Sequence, residues 1–312
     1  MARSSALVVV VGLLAMGCGA NHGSDAPAPA KAEAPTRSAA PAVDAPTAGE
    51  AEARQSAGYP APKGKTGDPT PGDPTPGGKD GQLVVTYEEA TTPEAIVGRD
   101  LMEKTHFLDA IAKSVSDWYV LPNDIPVVGA QCGEANDFWS PSDKKLTLCY
   151  EDVAQSLKIF AADPKPEESA RRIAIGSFFH EVGHMVIDIY DLPVTGREED
   201  VADQLAAYEL LAPYNDGHVD PDFVQAAKDT AREYFVLSKE GGPLEQEAFA
   251  DVHTPDQARA YNFECWIYGS NPDANADIVS SGQLPEGRAD GCQGEWDQLV
   301  KGWTSLLEPH MR

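Results

Sequence analysis

The pentapeptide His180-Glu181-Val182-Gly183-His184 constrains this chain more than any other feature. Its two imidazoles stand four residues apart, and a helix repeats every 3.6 residues, so both rings fall on one face and can reach a single cation. That reading commits the segment to a helix and requires a second element to bring a further ligand. Glu181 lies beside the same face, where its carboxylate could take a proton from a water on the metal. Five residues are a short pattern, so the flanking sequence has to supply the helix.

Asp163-Pro164 has the form of a helix start, an N-capping residue followed by proline. Ile173, Ser177, His180, His184 and Ile187 then recur at helical spacing, and Leu192-Pro193 ends the run. The plain alternative is a pair of core histidines, but Glu181 buried beside them would then be costly.

A hydrolytic zinc site needs three protein ligands and an open fourth position. Residues 196–204, Gly-Arg-Glu-Glu-Asp-Val-Ala-Asp-Gln, open a second helical stretch that continues through Leu205, Tyr208 and Leu211 to Pro213. Glu199 and Asp203 share a face there. Glu199 is the expected third ligand, and Asp203, one turn on, is expected to bond the far nitrogen of His180. The helix dipole favours acids in any first turn, which accounts for part of Glu198-Glu199-Asp200 but not for Asp203. Glu198 is the alternative ligand.

An HExxH helix followed by a Glu-x-x-x-Asp helix resembles the gluzincin group of zinc peptidases. More narrowly, the segments CGEANDFW, LCYEDV, HEVGHMVID, DLPVTGREEDVADQLA and YNFECWIYGS resemble a bacterial family of metallopeptidases, over roughly residues 83 to 312. A metzincin would want Gly at 187 and His at 190, where this chain has Ile187 and Tyr190. The resemblance implies a zincin-like fold and a peptide or protein substrate. By the same analogy an edge strand above the metal binds extended substrate, and the alternating Lys145–Tyr150 segment is its expected place.

The chemistry can be argued from the residues. Two neutral imidazoles and one carboxylate leave Zn²⁺ with a net charge near +1, lowering the pKa of bound water toward ~7. Glu181 would accept the water's proton and later deliver it to the leaving amine. The oxyanion needs a further donor, and His253 and Tyr261, expected in an irregular stretch after the second helix, are the candidates. A non-catalytic envelope protein using the helix pair as a structural metal site or binding scaffold is the competing class. Glu181 separates the two, because a structural site has no use for a proton acceptor and would close its fourth position with Cys or His.

Arg3 precedes an apolar run from Ala6 to Leu14, and Ala15-Met16-Gly17-Cys18 then resembles a lipobox whose Cys18 becomes the lipidated first residue. The run is too short to span a membrane comfortably. Residues 1–18 therefore read as an export signal, placing the protein at the bacterial cell envelope on a lipid anchor. Cleavage near Ala20 and secretion is the alternative. Residues 19–81 contain no Leu, Ile, Met, Phe or Trp, with only Val43 and Tyr59 to offer a core. Such a segment cannot offset the entropy of folding, and its duplicated Gly-Asp-Pro-Thr-Pro unit at 67–76 reads as a disordered tether, on the order of 45 Å end to end.

Setting Cys18 aside leaves Cys132, Cys149, Cys265 and Cys292, an even set suited to an exported domain. Chain order suggests Cys132 with Cys149, around a hairpin, and Cys265 with Cys292, although three connectivities are open. Residues 82–312 suffice for one domain. Helices are expected over 105–119, 221–237, 245–251 and 295–307, and a short strand over 125–128. The class is α+β, mainly helical, with a small sheet or hairpin. A net charge of -26 without clustered Lys and Arg excludes nucleic acid as a partner.

Overall fold

The computed structural model describes residues 80–312, apart from 215, 241–243 and 245. The export signal with Cys18, and the tether as far as residue 79, lie outside the described residues. The last two residues assigned to the tether already belong to the domain. Gly81 N–H donates to the Leu121 carbonyl at 2.9 Å, and Asp80 pairs with Arg312 at 2.6 Å.

The fold is α+β and mainly helical, with one small four-stranded sheet. The strands are β1 (Leu83–Tyr87), β2 (Ile125–Ala130), β3 (Asp137–Ser140) and β4 (Lys145–Cys149). Their spatial order is β1-β2-β4-β3, with β1, β2 and β4 parallel and β3 antiparallel to β4. Two helices, α1 (Pro93–Thr105) and α2 (Phe107–Trp118), connect β1 to β2 as a parallel pair requires. The helix expected over 105–119 is α2, which starts at Phe107 because His106, with a φ of 50°, ends the preceding α1.

After β4 come α3 (Tyr150–Ile159), α4 (Pro166–Ile189), α5 (Glu198–Leu211), α6 (Pro221–Glu240), α7 (Gln246–Ala250) and α8 (Asp256–Ser270). The short α9 (Ala276–Ser280) and α10 (Glu286–Ala289) lead to α11 (Cys292–Leu307). Helix α4 starts two residues later than Asp163-Pro164 suggests. Pro166 takes the first turn, with Glu167 and Glu168 beside it. Asp163 instead accepts from Ser169 Oγ at 2.8 Å and pairs with Arg232 at 3.0 Å. Helix α4 ends where Asp191 adopts a left-handed φ of 51°, letting the Leu192 N–H reach back to the Ile187 carbonyl.

Helix α4 is buried on nearly every side, as befits a central element packed between the sheet with α3 and the pair α5 and α6. Phe178, Phe179, Val182 and Met185 are fully buried, in one core with Leu146 and Leu148 of β4. Disulfides join Cys132 to Cys149 and Cys265 to Cys292, tying the loop after β2 to the end of β4 and α8 to the start of α11. Loops of these lengths give each bond about 3 kcal/mol by the chain-entropy account.

The strand expected to lie at the sheet edge does not. Strand β4 is paired on both sides, by β2 and by β3, and the free edge on this side belongs to β3. Edge position depends on long-range pairing, which alternation within Lys145–Tyr150 does not encode.

Candidate metal centre

Helix α4 carries His180 and His184 on one face, and α5 lays Glu199 across them. Gly183 makes this approach possible. A Cβ there would stand 2.8 Å from Ala202 Cα of α5, so any larger residue would push the helices apart. Among the described residues, ligand atoms of His180, His184 and Glu199 all lie within 4.8 Å of one another.

The three donors form a nearly equilateral triangle. His180 Nε2 is 3.2 Å from His184 Nε2 and 3.2 Å from Glu199 Oε2, and His184 Nε2 is 3.3 Å from Glu199 Oε2. Ligands held tetrahedrally at 2.0–2.1 Å from zinc stand roughly 3.3–3.4 Å apart, so the donor set and its spacing fit such an ion.

Both rings are fixed from behind. His180 Nδ1 lies 2.9 Å from Asp203 Oδ1, and His184 Nδ1 lies 2.8 Å from Glu198 Oε1. With Nδ1–H given to a carboxylate, each Nε2 keeps its lone pair for the centre. Glu198, the alternative ligand in the sequence reading, here holds His184. Asp203 is itself held by Arg259 of α8, whose Nε and Nη2 each donate at 2.8 Å. The Arg259 guanidinium also sits 4.1 Å above the Tyr234 ring.

The electrostatics follow from this packing. Burial pulls the His180 pKa down, but the Asp203 and Glu199 carboxylates outweigh it and raise the pKa to about 9. Burial pushes Glu199 and Asp203 up, yet the former is held well below the carboxylate range by both histidines, and the latter by Arg259 and His180. The centre concentrates electron pairs that a proton or a cation must balance.

Glu181 is buried, and its Oε2 accepts the Trp139 backbone N–H of edge strand β3 at 2.7 Å. Trp139 is fixed in turn by its indole Nε1–H, which donates to Asp188 Oδ2 at 2.9 Å, and Lys144 pairs with the same oxygen at 2.6 Å. Asp188 continues the 180, 184 spacing by one more turn. That periodicity, an acid on an otherwise apolar helix end, is the signal that sequence reasoning passed over.

The two candidate oxyanion donors separate. His253, between α7 and α8, brings Nε2 to 3.1 Å from Glu199 Oε2, while its Nδ1 meets Asp251 Oδ1 at 3.1 Å. Tyr261 lies within α8, not in an irregular stretch, and packs edge-on against Phe235 at 5.1 Å. It is not among the residues lining the cleft over the centre, whereas Glu181, His184, Glu199 and His253 are. Helix α8 was hidden because it is buried on several faces, which erases amphipathic periodicity.

Further acids lie near Glu181. Burial, followed by the charge of Asp152, raises Asp137, and the same two causes raise Glu233 to about 8 against the opposing Ser156 hydrogen bond. A carboxyl whose folded pKa exceeds its unfolded value favours the fold at low pH and loses that advantage as pH rises through the folded value. Glu233→Gln, which can still accept from Ser156 Oγ, is therefore expected to stabilise the protein at pH 8 by on the order of 2 kcal/mol and to change little at pH 4.5. Thermal melts of both proteins across that range check the sign.

A helix with two histidines one turn apart and a neighbour supplying a carboxylate form a group that could hold a metal ion, as a metallopeptidase requires. A family model described as "Putative metallopeptidase" matches residues 87–307, and the chain belongs to that family. Membership implies a metal and peptide or protein substrates. Comparison with curated proteins and with solved structures returned no match.

Proposed function

We propose that this protein is a zinc-dependent peptide-bond hydrolase in which Glu181 is the proton acceptor and donor. The observation that carries the reading is the triangle of His180 Nε2, His184 Nε2 and Glu199 Oε2 with sides of 3.2–3.3 Å, beside a buried Glu181 that is not one of its corners. His180, His184 and Glu199 would hold the ion. When bound, zinc supplies Lewis acidity, polarising a carbonyl and letting water lose a proton near neutral pH.

The chain's own groups do the rest. Glu181 takes the proton from the attacking water and returns it to the leaving amine. Its place is fixed by the Trp139 N–H, and Asp188 fixes Trp139. His253, with Nδ1 on Asp251 and Nε2 beside Glu199, would donate Nε2–H to the oxyanion as an imidazolium, the form in which both ring nitrogens carry protons. Strand β3, corrected here as the edge, offers main-chain pairing to an extended substrate. A structural metal site would give Glu181 no task.

The test is hydrolysis of a mixed peptide library by the zinc-loaded full chain, followed by mass spectrometry. Cleavage that requires both zinc and Glu181 supports the reading. Zinc binding without any cleavage would favour a structural or scaffold role.

We propose in addition that Cys18 anchors the protein to the cell envelope, with cleavage near Ala20 and secretion as the alternative. The lipobox-like Ala15-Met16-Gly17-Cys18 and the two disulfides support export. Cys18→Ala is expected to move the protein from the membrane fraction of the expressing bacterium into the soluble fraction, and unchanged membrane association would count against lipidation.

A further inference from the structure

The large apolar side chains exposed among the described residues are unevenly placed. Of eight, Phe138 and Val252 line the cleft over the centre, and Leu244 and Phe249 belong to the same α6–α8 connection that supplies Val252. Exposed apolar groups gathered at the rim of a cleft, rather than scattered singly over the surface, are a mark of a ligand groove.

Both cleft residues are held in place. On β3 the buried Trp139 faces inward and its neighbour Phe138, 38 % exposed, is turned out by the alternation of the strand. Val252, 65 % exposed, sits at the tip of a turn closed by Asp251 Oδ1, which accepts the His253 N–H at 2.8 Å. Arg197 donates to the Asp251 carbonyl at 3.3 Å and anchors that turn to the start of α5. Val252 is therefore one residue from His253, which touches Glu199. The polar part of the same rim carries Glu198 and Asp251 against Arg197. It repels carboxylates where the apolar groups attract side chains.

We propose that the cleft selects an extended peptide that sets a bulky apolar side chain, next to the scissile bond, against Phe138 and Val252. The selection rests on the hydrolase reading above and names its substrate class. Discrimination by an apolar site of this kind is worth about 10- to 200-fold for even small changes in side-chain size.

Two measurements on the zinc-loaded full chain test the selection. In the first, kcat/KM is compared for peptides carrying Phe, Leu, Gly or Asp on either side of the scissile bond. Phe or Leu at one of these positions is expected to exceed Gly by at least about tenfold and Asp by more. Phe138→Ser and Val252→Ser, both at exposed positions, should each narrow that ratio severalfold, with zinc content and melting temperature confirming an intact fold. In the second, calorimetry compares peptide hydroxamates bearing benzyl or methyl side chains, with the benzyl compound expected to bind at least about tenfold more tightly. Equal kcat/KM values and equal affinities would overturn the selection while leaving the hydrolase reading in place. Absence of any Glu181-dependent cleavage would overturn the hydrolase reading, and the hydroxamate ratio would still decide the selection.

Discussion

Glu181→Gln is expected to keep its zinc and to lose roughly 10²- to 10⁴-fold in kcat/KM, the range for removing a positioned general acid–base. The substitution is nearly isosteric, and the amide oxygen can still accept the Trp139 N–H that holds Glu181 at 2.7 Å. The packing of α4 against β3 therefore survives, and only proton transfer is removed. His180, His184 and Glu199 keep their partners because Glu181 is not a corner of the donor triangle. Zinc per chain by mass spectrometry, measured beside kcat/KM on one peptide, separates the two effects. Activity within tenfold of the unsubstituted protein would remove Glu181 from the mechanism, and a parallel loss of zinc would make it a ligand support instead.

Arg259→Ala is expected to be the most damaging substitution outside the donor set. Asp203 is 3 % exposed, and both of its oxygens are bonded by the Arg259 fork. Without that cation, a buried carboxylate is left with the His180 ring alone. Breaking a buried pair in this way costs about 3–5 kcal/mol. For a domain of this size that is a fall of roughly 6–20 °C in melting temperature. Because Asp203 orients His180, metal affinity should fall as well, by about 10- to 100-fold. Arg259→Lys retains the charge but not the planar fork, and should recover only part of the loss. Scanning calorimetry and zinc competition on the same samples test both statements. A change below 1 kcal/mol would mean that Asp203 does not depend on Arg259.

The HExxH helix and its acidic partner were legible because their information is local. Spacing of three or four residues puts 180, 184, 199 and 203 on their faces whatever surrounds them. The groups that complete the centre are not local. Arg259 is 56 residues from Asp203, and no pattern in either segment announces the pair. Strand β3 is four residues long, too short to alternate persuasively, and its status as an edge depends on where β4 finds its partners. Helix α8 carries buried residues on several faces, so it lacks the stripe by which a surface helix is recognised. Helix α4 has the same character, and its start was misplaced because Asp163-Pro164 and Lys165-Pro166 carry similar signals. Burial decides between them, since Asp163 is drawn off to Ser169 and Arg232.

Gly183 and Asp188 are intermediate cases. Each lies within HEVGHMVID in plain view, but their roles emerge only once α5 and Trp139 are beside them.

The most direct test of the centre is metal content and ligation in the purified full chain, by elemental analysis and X-ray absorption at the zinc edge. One zinc per chain with two nitrogen ligands from imidazole and carboxylate oxygen is expected, and His180→Ala, His184→Ala or Glu199→Ala should each abolish tight binding. A chain that binds no zinc, or one in which these three variants retain as much as the unsubstituted protein, would contradict the account.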